Sequence, residues 1–175
     1  MRKTQEDKTQ IIILLGPNGA GKTTIGRMLE ECFHSRFVSL EEFFLERYQT
    51  LEAYRRQRPT AYGDFEAHLR ALLRQPDLLI IFEEVGLSVE AQTLIKNLQA
   101  DYQVALVKIS ASEATCLKRV AQRGTDHNFP KAPKFVSDVW ARFLSHAAPN
   151  YQFALEIENE QLSKNEICAS FARIF

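Results

Sequence analysis

The sequence predicts an α/β protein in three layers, a parallel sheet of five strands with helices on both faces. Three observations predict it. Short apolar runs of strand length alternate with segments of helical period, the run Ile11-Ile12-Ile13-Leu14-Leu15 is apolar at every position, and a glycine-rich octet joins that run directly to a helical segment. A strand without polar alternation belongs in a sheet covered on both faces, and parallel neighbours need crossover connections of the kind helices supply.

Each element can be justified in turn. After the first strand, Gly16-Pro17-Asn18-Gly19-Ala20-Gly21-Lys22-Thr23 fits G-x-x-x-x-G-K-[ST], and Thr24 continues into a helix over about 21–33. Strand, loop and helix in that order predict a phosphate-binding loop whose successive N–H groups cradle phosphate oxygens, with Lys22 as a point charge and the Thr23 hydroxyl as a magnesium ligand. Phe37–Leu40 reads as the second strand, and Glu41-Glu42 opens a helix carrying Phe43, Phe44, Arg47, Tyr48, Leu51 and Tyr54. Carboxylates in a first turn suit the helix dipole. Pro59 interrupts, and a new helical period runs from Tyr62 through Phe65, Leu69, Leu72 and Leu73 to Pro76, so that residues 41–76 form a helical insert.

Leu78–Phe82 is the third strand, placed beside the first and followed at once by Glu83 and Glu84. A helix over 87–100 and a fourth strand, Val104–Ile109, come next, then a helix opened by Ser112-Glu113 that carries Leu117, Val120, Arg119 and Arg123. The loop Gly124–Pro133, rich in glycine and proline, predicts a mobile lid over 119–134. A helix over 135–147 with Trp140 in the core, a fifth strand over 152–157 and a helix from Ser163 to Phe171 complete the chain.

Composition sets bounds. The chain of 175 residues reads as one domain over 1–175, and 22 basic against 22 acidic residues give no bulk attraction to nucleic acid or anionic membrane. Met1 to Gln10 lacks the apolar core of a secretory signal and no apolar run reaches membrane-spanning length, so the expectation is a cytoplasmic protein. Cys32, Cys116 and Cys168 are far apart on amphipathic segments, which predicts three buried free thiols rather than a disulfide or a zinc site.

The octet, the acidic residues after the second strand, Phe82-Glu83-Glu84-Val85-Gly86-Leu87-Ser88, the Cys116–Arg123 helix and the strand-turn-helix over 154–171 together carry a resemblance. Over its whole length the chain resembles the small P-loop kinases of the nucleoside/nucleotide kinase-like group, which includes shikimate kinase, gluconate kinase and chloramphenicol phosphotransferase. The resemblance implies the three-layer P-loop NTPase fold, ATP as donor and Mg²⁺ as cofactor. It also implies a carboxylate after the second strand that meets the acceptor hydroxyl, here Glu41 with Glu42 as the alternative, where the group more often has Asp.

The candidate site follows. Nucleotide-binding residues are Gly16, Pro17, Asn18, Gly19, Ala20, Gly21, Lys22, Thr23, Thr24 and Arg119, and the catalytic set is Lys22, Glu41 and Arg123. Metal falls to Thr23 and, through water, to Glu83, with Glu84 as the alternative. Arg47, Tyr48, Tyr54, Arg55, Arg56, Arg58, Tyr62 and Asp64 stand in the insert, where they can hold a ring or an anion, and His127 stands in the lid. The expected activity is transfer of the γ-phosphoryl of ATP to a hydroxyl or phosphate of a small molecule. A nucleic-acid 5′-end kinase with a groove at Arg55, Arg56 and Arg58, or a nucleotide switch with a protein partner, are the alternatives. The sequence names neither the acceptor, nor ATP over GTP, nor the oligomeric state.

Overall fold

The computed structural model describes residues 9–123 and 132–174. Its strands are β1 (Ile11–Leu15), β2 (Ser35–Val38), β3 (Leu79–Glu84), β4 (Val104–Ser110) and β5 (Leu155–Glu158). They form one sheet in the order β2-β3-β1-β4-β5, parallel at every pairing. The helices are α1 (Lys22–Cys32), α2 (Leu40–Tyr48), α3 (Leu51–Arg56), α4 (Arg58–Leu72), α5 (Val89–Asp101), α6 (Glu113–Ala121), α7 (Pro133–Arg142) and α8 (Lys164–Phe171).

β1 is central, and all five of its side chains are fully buried. Successive strand residues point to opposite faces. Ile11, Ile13 and Leu15 therefore join Phe44, Phe65 and Leu94 under α2, α4 and α5, while Ile12 and Leu14 join Ile25, Val120, Val136 and Phe171 under α1, α6, α7 and α8. This is the three-layer P-loop NTPase fold the sequence predicts.

Several boundaries move. β2 ends at Val38, because Ser39 caps α2 by accepting the Glu42 N–H at 3.2 Å, and this puts Glu41 inside the first helical turn. The interruption expected at Pro59 falls at Gln57, between α3 and α4, and Pro59 itself sits in the first turn of α4, where its missing N–H leaves no helical bond unmade. β3 extends through Glu83 and Glu84, and β5 begins only at Leu155. After α7 the chain widens into a π-turn over Phe143–Ala147, and the Trp140 indole, half-buried rather than in the core, donates to the Ala111 carbonyl at 2.9 Å.

The cysteine expectation is corrected. Cys32 at the end of α1 and Cys168 on α8 form a disulfide, with Cα atoms 6.4 Å apart across 136 residues of chain, and only Cys116 is free and buried. Packing of α8 on α1 makes this pair, and sequence spacing carries no trace of it. Among the described residues no helix is long and apolar enough to cross a membrane. Most of the expected lid, 124–131, with His127, lies outside the described residues.

Candidate functional site

The octet leaves the end of β1 and turns back into α1. A side chain at Gly16 would put its Cβ 2.1 Å from the Ile109 carbonyl oxygen, so only glycine lets the loop leave the sheet there. The loop closes on Lys22, which is 7% exposed and donates to the carbonyls of Gly16 at 2.9 Å and Pro17 at 3.0 Å. Burial lowers the pKa of this ammonium, and the nearby carboxylates of Glu83 and Glu84 oppose that shift.

Parallel pairing of β1 with β3 sets Leu14 opposite Glu83 and Leu15 opposite Glu84, which brings both carboxylates to the loop. Their environments then diverge. Glu83 accepts the Thr23 hydroxyl at 2.8 Å on one oxygen and 3.0 Å on the other. Glu84 is 8% exposed and already occupied: one oxygen takes the Tyr62 hydroxyl at 2.7 Å, and the other takes the N–H groups of Val85 at 2.7 Å and Gly86 at 3.3 Å. Burial, more than the charge of Glu84, raises the pKa of Tyr62, which keeps the phenol a donor. On the far side of the same loop, the Tyr151 hydroxyl donates to the Gly86 carbonyl at 2.9 Å, and burial pushes its pKa up to about 12.

Two cavities open on this region. One, of about 500 Å³, runs from Lys22, Thr23 and Glu83 to Tyr54, Arg55, Arg58, Tyr62, Phe135 and Arg142. The other, of about 930 Å³, passes over the start of α1 and is lined by Gly19, Gly21, Thr24, Arg119, Asn159 and Leu162. Thr23, Glu41 and Arg123 line both. The cavities therefore share a hydroxyl, a carboxylate and a guanidinium in their linings.

The structure sorts the remaining candidates. Asn18 lines the first cavity and Thr24 the second, while Arg119 reaches back to the loop through the Ala20 carbonyl at 3.4 Å and the Glu160 carbonyl at 3.2 Å. Glu42 is exposed and ion-paired with Arg27, away from the first cavity. Of the insert residues, Tyr54, Arg55, Arg58 and Tyr62 reach that cavity; Arg47 and Tyr48 bind Asp64 instead, and Arg56 pairs with Glu52. Arg58 has Glu90 at 3.7 Å, whereas Arg55 and Arg142 form no ion pair among the described residues. Sequence reasoning missed Asn159, Arg142, Phe135 and the bond from Tyr62 to Glu84. Each depends on which elements pack together, and none belongs to a local motif.

Comparison with known proteins gives the family and the fold. The AAA domain family matches residues 11–149, and the chain belongs to that family. No curated protein matches it in sequence. Among solved structures, a shikimate kinase from Acinetobacter baumannii in complex with shikimate is 18% identical, with a TM-score of 0.66 over 96% of this chain and 93% of that one. A gluconokinase from Sinorhizobium meliloti is 16% identical, with a TM-score of 0.59 over 98% and 95%. The Deinococcus radiodurans tunicamycin resistance protein is 17% identical, with a TM-score of 0.61 over 95% and 96%. At these identities the likeness is one of fold, the P-loop kinase-like fold, shared by proteins named for different small molecules.

Proposed function

We propose that this member of the AAA domain family is an ATP-dependent phosphotransferase that moves the γ-phosphoryl of ATP to a hydroxyl or phosphate of a small molecule. The observation that carries the reading is the meeting of two cavities at Thr23, Glu41 and Arg123, beside the buried Lys22. The cavity over α1 suits the nucleotide, and the one under the insert suits the acceptor.

Residues 16–24 cradle the donor phosphates with backbone N–H groups, and Lys22 turns from the loop carbonyls to phosphate oxygens. A magnesium ion fits the hard oxygen donors here: Thr23 would hold it directly and Glu83, already bonded to Thr23, through water. When bound, the ion neutralises phosphate charge. Glu41 accepts the hydrogen bond of the acceptor hydroxyl and orients it, and Arg123, which lines both cavities, meets the charge of the transferring group. Glu84 takes no part in proton transfer, since its oxygens are occupied. Arg55, Arg58 and Arg142 at the far end support an acceptor that carries an anionic group besides the reacting oxygen.

The test is ADP release measured with and without a panel of hydroxy acids, sugars, sugar phosphates and nucleosides. The expected result is hydrolysis that is slow alone and strongly stimulated by one class of acceptor, the acids or phosphates. Steady hydrolysis indifferent to every acceptor, but stimulated by a protein fraction, would replace the kinase reading with a nucleotide switch.

A further inference from the structure

We infer that Asn159 is a positioning residue for the phosphate loop: with Arg119 it holds the Ala20 carbonyl outward and thereby aims the Gly21 N–H into the phosphate-binding concavity. The inference rests on the reading of residues 16–24 as a phosphate cradle. Its starting point is a single carbonyl with two side-chain donors. The Ala20 oxygen accepts from Asn159 Nδ2 at 2.8 Å and from Arg119 Nη1 at 3.4 Å. A carbonyl oxygen has two lone pairs, so these two donors fill it.

A trans peptide is planar, and its C=O and N–H point in opposite directions. Fixing the Ala20 oxygen therefore fixes the Gly21 N–H on the opposite side. The hold is needed because of Gly21 itself. Its φ of 93° is a region glycine enters freely, and the same freedom lets the Ala20–Gly21 peptide rotate and turn its N–H away from the cradle. Glycine makes the loop's shape accessible without making it permanent.

Asn159 is placed to supply that permanence. Its own N–H donates to the Ser110 carbonyl at 2.7 Å, which continues the β4–β5 ladder past the end of β5. The next residue, Glu160, is tied to the start of α6 by the Ser112 N–H and by the Thr115 hydroxyl at 2.7 Å, and its carbonyl accepts Arg119. Both donors to Ala20 thus stand on one braced corner, far from the octet in sequence. The approach is close: a Cβ at position 21 would sit 2.4 Å from Asn159 Nδ2 and displace that amide, while the φ of 93° itself favours glycine.

The experiment uses inorganic pyrophosphate with Mg²⁺, which has no base or ribose, and measures its binding to the full chain by calorimetry. Asn159→Ala and Asn159→Asp, neither able to donate to Ala20 at neutral pH, should each bind pyrophosphate about five- to tenfold more weakly. The Gly21 amide resonance should shift in both, while the melting temperature stays near that of the wild type. Wild-type pyrophosphate affinity in either variant, or a loss seen with ATP alone, overturns the inference and makes Asn159 a base contact. Failure of the wild type to bind pyrophosphate removes the phosphate reading as well, which separates the two ideas. The ligand-free wild type carries a check that needs no variant: a doubled or broadened Gly21 amide signal would mean an unheld peptide and overturn the inference.

Discussion

The two ends of the site are made of different material. The end proposed for phosphate is mostly backbone: Gly16 pressed against the Ile109 carbonyl, the Ala20 carbonyl held by two donors, and Lys22 folded onto the carbonyls of Gly16 and Pro17. The end proposed for the acceptor is mostly side chain. Phe44 stacks on Tyr54 at 4.4 Å and meets Tyr62 at 5.4 Å, and Arg55, Arg58 and Arg142 stand along the wall. Backbone geometry suits a ligand whose phosphates never vary, whereas a wall of side chains can be exchanged residue by residue without disturbing the sheet. The same P-loop kinase-like fold accordingly appears in proteins named for shikimate, gluconate and tunicamycin.

The largest expected effect breaks the phosphate end. Lys22→Ala should cut phosphoryl transfer about a thousandfold, because one preorganised positive charge is lost where charge develops. Stability should hardly fall, since burial already disfavours this ammonium. Turnover and urea unfolding, measured together, check both halves. A variant with wild-type turnover would leave the octet as a structural turn.

The next concerns the scaffold behind that end. The disulfide between Cys32 and Cys168 ties the phosphate-loop helix to α8 and closes 136 residues of chain. Its replacement by Cys32→Ser/Cys168→Ser should lower unfolding stability by about 3 kcal/mol, chiefly by freeing the unfolded chain. Acceptor KM should not change, because neither cysteine lines the acceptor cavity. Unfolding curves with and without a thiol reductant, identical for the double variant and different for the wild type, would establish the bond in solution.

What was legible in the sequence follows the same division. The octet, its strand and its helix were readable because glycine spacing encodes backbone shape directly, and Thr23 and Glu83 meet because parallel pairing of β1 with β3 brings the end of β3 to the loop. Glu41 was readable in its setting too, the first turn of the helix after β2, although β2 stops at Val38 rather than Leu40 because Ser39 caps that helix. The acceptor wall was only half readable: Tyr54, Arg55, Arg58 and Tyr62 lie in one segment, yet Arg142 and Phe135 come from α7 across the cleft. Asn159 and the disulfide were invisible, because one arises where the chain leaving β5 meets Ala20 of the octet and the other where α8 packs on α1, and no local pattern announces either contact.

At the boundary of the two ends, Glu41→Gln should reduce turnover about a hundredfold and leave ATP affinity almost unchanged, because the amide keeps the shape but takes no proton and carries no orienting charge. Glu83→Gln should act differently, weakening the dependence on Mg²⁺ first. If the two variants respond alike across magnesium concentration, the division of roles between Glu41 and Glu83 fails.

The smallest effect tests whether the acceptor end is as well fixed as the phosphate end. Tyr62 donates to Glu84 at 2.7 Å, and this bond ties α4 of the insert to the last residue of β3. Tyr62→Phe keeps the ring in its aromatic cluster but leaves a carboxylate oxygen, on a residue only 8% exposed, without its side-chain donor. An unsatisfied buried acceptor costs about 2 kcal/mol, so the denaturation midpoint should fall accordingly. ATP affinity should hold, since Tyr62 lines only the acceptor cavity. In the double variant Tyr62→Phe/Glu84→Gln the loss should be smaller than the sum of the single losses, because the pair is coupled and the amide removes the buried charge. Additive losses would mean that the hydroxyl and the carboxylate do not hold each other in solution. Glu84 would then have an oxygen to offer the acceptor, and the assignment of Glu41 as the orienting carboxylate would have to be shared with it.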